Sequence, residues 1–94
     1  MTNAELEKFI VSVNDQSFDA DKVKQIQTFL TPRCLMASQI ARIVSQITFE
    51  ESKLNIAKSL FDNCSDKQNY YLVIDGFRFS DSKNKMNDYI KSKQ

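Results

Sequence analysis

Three phenylalanines, Phe18, Phe49 and Phe79, fall 31 and 30 residues apart, and a lysine follows each of them four places later as Lys22, Lys53 and Lys83. A chain that repeats itself at a fixed period of this size folds as stacked supersecondary units, because one unit cannot cover its own apolar face and its neighbours must. The three joints read Ser17-Phe18-Asp19, Thr48-Phe49-Glu50 and Arg78-Phe79-Ser80. Ninety-four residues hold three such units and make one domain, large enough to bury a core without a disulfide or a metal.

The apolar spacing on either side of each joint is helical. Upstream lie Leu6, Phe9, Ile10 and Val13, then Ile40, Ile43, Val44 and Ile47, then Tyr70, Val73, Ile74 and Phe77. Downstream lie Val23, Ile26, Phe29 and Leu30, then Leu54, Ala57, Leu60 and Phe61, then Met86 and Ile90. Offsets of three, four and seven place each set on one helical face. The pattern predicts an all-α domain of about six short helices in three helix-corner-helix units, roughly 4–31, 34–62 and 65–92, in a compact orthogonal or solenoid-like array. Its expected core is Leu6, Phe9, Val13, Phe18, Val23, Ile26, Leu30, Ile40, Ile43, Val44, Ile47, Phe49, Leu54, Ala57, Phe61, Ile74, Phe77 and Phe79.

Local chemistry refines the corners. Phe18 ahead of Asp19 and Val23 fits a hydrophobic staple with aspartate as the N-cap; Phe49 and Leu54 repeat it, and Thr48 with Glu51 offers a capping box one register earlier. In the third copy Ser80 can cap, but Asn84 replaces the apolar partner, so fraying is expected in the last helix. The chain turns between units at Thr31-Pro32-Arg33-Cys34, where proline cannot continue a helix, and at Asp62 to Asp66. Ser65 with Gln68 suggests a capping box for the fifth helix. Tyr70 to Phe79, around Asp75-Gly76, is locally a hairpin pattern. The repeat register favours helix, because it aligns Tyr70 with Ile40 and Ile74 with Val44, and Gly76 then becomes a left-handed helix cap.

From Phe18 to Ile90 the chain resembles a family known as domain of unknown function 4476. The resemblance rests on Phe18-Asp19 with Lys22-Val23, Ser38-Gln39-Ile40 with Ile43, Thr48-Phe49-Glu50 with Lys53-Leu54 and Ala57-Lys58, Asn69-Tyr70-Tyr71, and Phe77-Arg78-Phe79-Ser80. The family often carries arginine where this chain has Lys53, and serine or threonine where it has Met36. The resemblance implies an all-helical domain, often appended to others, with no established activity and hence no active site to transfer.

Composition removes several function classes. There is no histidine, which deletes the commonest general acid-base group and metal ligand, and the single glycine rules out a Gly-rich phosphate loop. Thirteen basic and twelve acidic residues give a net charge of +1, too little for a dedicated nucleic-acid binder. The acidic pairs Asp19 with Asp21 and Glu50 with Glu51 sit in first helical turns, where the macrodipole favours them, so they read as structural and not as catalytic carboxylates. Asp62, Ser65 and Asp66 lack the glycine and terminal glutamate of an EF-hand loop. Cys34 and Cys64, 30 apart, are read as reduced, part-buried small apolar residues, with a redox pair as the alternative. No enzyme activity, metal or cofactor is expected.

The expectation is a non-catalytic protein-interaction or structural module, partnering an unidentified protein or itself, with Met86, Tyr89 and Ile90 of the last helix as the contact surface. The competing bland reading is that Met86 and Ile90 close the core and Tyr89 is a half-buried surface aromatic. Lys83, Lys85, Lys91 and Lys93 flank that stripe and raise peripheral membrane binding as an alternative. Helix-turn-helix DNA binding through Gln39 and Arg42 is the weakest. Without a basic, apolar leader or a spanning segment, a complete chain of this sequence is expected in the cytoplasm.

Overall fold

The computed structural model describes residues 1–93, which form six α-helices: α1 (Asn3–Asn14), α2 (Asp19–Leu30), α3 (Ala37–Val44), α4 (Glu50–Phe61), α5 (Tyr71–Ile74) and α6 (Ser80–Ser92). A single 3₁₀ turn, Lys67–Asn69, leads into α5. The domain is all-α, as the spacing predicts. The segment from Tyr70 to Phe79 holds the short helix α5 and no strand, so the register of the apolar residues outweighs the hairpin-like dipeptide. Helix α1 packs on α3 and α3 on α5, while α2 packs on α4 and α4 on α6; α1 with α2 and α3 with α4 join the two rows.

The helix starts are not all served by their own N-cap residues. Thr2 and Glu5 form a reciprocal capping box on α1, Thr2 Oγ1 accepting from Glu5 N and Glu5 Oε1 from Thr2 N, both at 3.1 Å. Helix α3 is capped from a distance: Asp66 Oδ1 accepts from Ala37 N at 2.7 Å, and Gln39 Oε1 accepts from Met36 N at 3.1 Å. The linkers lie side by side there, with Leu35 N donating to Asn63 O at 3.0 Å and Ser65 N to Leu35 O at 2.8 Å. Ser65 therefore does not cap the fifth helix; its hydroxyl also turns to Leu35 O. Gly76 is not a left-handed cap either. Its φ is not positive, and its N–H closes a tight turn onto Val73 O at 3.1 Å.

The core joins both rows. Leu6, Val13, Ile26, Leu30, Ile40, Ile43, Val44, Ile47, Leu54, Ala57, Phe61, Ile74 and Phe77 are buried, as the periodicity predicts. Ile10, Leu35, Ala37, Ile56, Leu60, Cys64, Tyr70, Val73 and Met86 join them. Phe9 and Val23 are only half-buried, and Phe18, Phe49 and Phe79 are not in the core at all.

Tyr70 is the one large polar-tipped side chain at the centre. Its ring meets Phe61 edge to face at 4.9 Å, and its hydroxyl donates to Ala57 O at 2.5 Å, tying the segment before α5 to the middle of α4. Burial pushes the phenol up well beyond its usual range. An unfolded tyrosine ionises near pH ~10, so above that pH the unfolded chain sheds a proton that the folded one keeps, and stability falls as pH rises. Tyr70→Phe is expected to cost about 1 kcal/mol at neutral pH and to flatten the alkaline loss, both read from urea unfolding curves between neutral and strongly alkaline pH.

Candidate functional site

Phe18, Phe49 and Phe79 each occupy the N-cap of their helix, α2, α4 and α6, with extended backbone and no side-chain cap bond. Their side chains point outward: 70%, 68% and 59% of their surface is exposed. The staple expected on sequence therefore does not form. The helices begin one residue earlier than that reading requires, so Asp19 and Glu50 are the first helical residues and not the caps.

The two carboxylates act on the neighbouring corner. Asp19 accepts from Thr48 N at 3.1 Å and from Phe49 N at 2.7 Å. Glu50 Oε1 accepts from Arg78 N at 2.6 Å and from Phe79 N at 3.1 Å. The acid beside Phe18 thus holds the backbone of Phe49, and the acid beside Phe49 holds the backbone of Phe79. Three helix starts are strung together, and three exposed aromatic rings emerge at successive links. Thr48 is consumed as a donor to Asp19, so the Thr48–Glu51 capping box is not made.

Local energetics do not account for the three rings. An N-cap Ser, Thr, Asp or Asn stabilises a helix by about 1 kcal/mol over a residue that cannot accept, and an aromatic more than half exposed recovers only part of its burial energy. The same unfavourable choice is made at three equivalent positions, which is the usual sign of a residue kept for something other than stability.

The residues singled out on sequence are distributed as follows. Met86 is fully buried, so it offers no surface; Tyr89 and Ile90 are half-buried against the core. Phe61 meets the Tyr89 ring edge to face at 6.3 Å, and Lys93 Nζ lies 5.3 Å from its centroid. The apolar stripe of α6 faces inward, which is the bland reading of that helix. Of its lysines, Lys85 pairs with Asp81 at 3.1 Å and Lys93 with Asp62 at 3.7 Å. Gln39 is buried and donates to Met1 O at 2.6 Å, while Arg42 pairs with Glu7, so both side chains considered for base contacts are engaged within the fold. Asp66 accepts from Asn69 Nδ2 at 3.0 Å as well as from Ala37 N, and these bonds hold its carboxyl below the usual range. The cysteines are both free and differ in setting: Cys64 is buried, its thiol pushed up by desolvation, whereas Cys34 is exposed and not part-buried. Among the described residues no group of three or more His, Cys, Asp or Glu side chains could hold a metal ion, and no helix is long and apolar enough to cross a membrane.

Two substitutions separate these roles. Asp19→Ala is expected to lower stability by about 1.5–3 kcal/mol, since it frees two backbone donors from a charged acceptor, with helix content by circular dichroism unchanged below the transition. Phe49→Ser is expected to leave stability the same or raise it by up to about 1 kcal/mol, because serine can cap α4; a loss of 2 kcal/mol or more in thermal or urea unfolding would show that the ring is structural after all.

A family model described as "Domain of unknown function (DUF4476)" matches residues 1–90, from the first residue of the chain through most of α6. No curated protein and no solved structure matches the chain. Because the match runs across all six helices and the three linked corners, the chain belongs to the DUF4476 family.

Proposed function

We propose that this domain is a non-catalytic interaction module, built as a stack of three helix-corner-helix units and working through contact with another protein. The observation that carries the reading is the row of exposed phenylalanines at Phe18, Phe49 and Phe79, spaced by the architecture and opposed by local stability. The contact surface is this row in preference to α6, whose apolar residues are occupied in the core. Stacked helical units commonly use such repeated exposed positions as an extended binding edge, in which each unit contributes one anchor.

The row alone is narrow. Three phenylalanines exposed by about two-thirds offer on the order of 300–500 Å², against the roughly 800 Å² per partner of a stable interface between globular proteins. That size suits a linear segment of a partner better than a second copy of the domain.

The test compares wild type with Phe49→Ser/Phe79→Ser in recovery of partners from native lysate, with equal thermal stability as the control. Loss of a specific partner in the double variant is expected. Equal recovery by both would refute the row as the contact surface, as would salt-sensitive binding of both to anionic vesicles in place of any protein partner.

A further inference from the structure

The chain has two cysteines, one in each of the linkers 31–36 and 62–66, and the two linkers lie against each other. Leu35 and Cys64 form a parallel bridge, with Leu35 N donating to Asn63 O at 3.0 Å and Ser65 N to Leu35 O at 2.8 Å. Residues opposite each other in such a pair send their side chains to the same side, and the next residue along either chain sends its own to the other. Leu35 and Cys64 are accordingly both buried, while Cys34 stands on the outer side and is exposed. The two cysteines are neighbours across the bridge whose side chains diverge. A disulfide needs Cβ atoms about 4 Å apart and side chains that converge, so Cys34 and Cys64 cannot be joined while the linkers stay paired.

More than burial holds Cys64 inward. Its Sγ donates to Asp66 Oδ1 at 3.4 Å, and the same oxygen accepts from Ala37 N at 2.7 Å to cap α3. Its carbonyl accepts from Lys67 Nζ at 3.0 Å. Desolvation pushes its thiol up, which leaves little of the thiolate that attacks a disulfide. Turning this side chain outward to meet Cys34 would break the bridge at Leu35, vacate a core position and draw Asp66 off the start of α3.

We infer that the paired linkers form a thiol latch: while they are joined, a low-molecular-weight disulfide such as oxidised glutathione reacts with Cys34 alone, and once they part, a Cys34–Cys64 disulfide holds them apart. In the first step the Cys34 thiolate attacks one sulfur of oxidised glutathione, forming a mixed disulfide and releasing one glutathione thiolate. In the second the Cys64 thiolate attacks the Cys34 sulfur and releases the other. Two protein thiols are thereby oxidised to one disulfide, and one oxidised glutathione is reduced to two thiols that take up the two protons. In the product α3 has lost its cap from Asp66, so this crosslink weakens the fold, where closing a loop of 30 residues ordinarily strengthens one.

The test incubates the full chain with oxidised glutathione at neutral pH, in native buffer and near the urea midpoint, and follows it by intact mass and peptide mapping. A single glutathione adduct on Cys34 is expected in native buffer, with conversion to the intramolecular disulfide slower than in urea by about tenfold or more. Asp66→Ala is expected to speed that conversion in native buffer about tenfold by loosening the linkers, whereas Asp19→Ala, at the opposite edge, should leave it unchanged. The purified disulfide form should unfold at a lower temperature than the reduced chain, a comparison that needs no variant. Cys64→Ala should keep the adduct and lose the disulfide. The inference is overturned by conversion as fast in native buffer as in urea, by an adduct on Cys64 of the folded chain, or by none on Cys34. A disulfide form as stable as the reduced one, or equal acceleration by Asp19→Ala and Asp66→Ala, would overturn it as well.

Discussion

A carboxylate reaching from one helix start to the backbone of the next is the interaction on which the corner geometry depends. Asp19 on Thr48 and Phe49, and Glu50 on Arg78 and Phe79, satisfy two N–H groups each at helix ends that their own N-cap residues leave open. A side chain at the N-cap would accept instead from the N–H groups of the first helical turn and would not fix how far apart two helix pairs sit. A carboxylate supplied from the neighbouring pair does fix it, so satisfying these two donors also sets the relation of α2 to α4 and of α4 to α6.

The opposite edge uses the same device with other atoms. Asp66 caps α3 from 29 residues away, and the linkers at Leu35 and Cys64 pair backbone to backbone. Tyr70 ties α4 to the segment before α5 from within. Helices this short are marginal alone, and α5 is a single turn, so it is tertiary contact and not propensity that keeps them helical. This is why the hairpin-like residues Tyr70 to Phe79 form no strand: Tyr70, Val73, Ile74 and Phe77 are all buried, on one helical side facing α3 and the core.

The functional reading follows from what the core does not need. Met86 is required inside and is unavailable as a contact, while Phe18, Phe49 and Phe79 are not required inside and stand in solvent. On sequence the two groups are indistinguishable by hydrophobicity, and phenylalanine is the more obvious core residue. A signal was present in the third copy, where Asn84 stands in place of an apolar staple partner and still follows a phenylalanine. A ring retained without its partner was not packing against it.

By itself the sequence determined the helical class, the number of helices, the places where the chain turns and most of the buried side of each helix, because these depend on local periodicity and on residues that stop helices. It also placed acids at the helix starts, although it supplied no means of telling a carboxylate that favours its own helix dipole from one that bonds to a backbone 29 residues away. The tertiary structure alone decided that partnership, and with it the one-residue shift that turned the two expected staples, at Phe18 and Phe49, into exposed caps. The physical reason is that a backbone N–H at a helix end donates to any acceptor within reach, and reach between corners is set by how the rows of helices pack and not by separation along the chain.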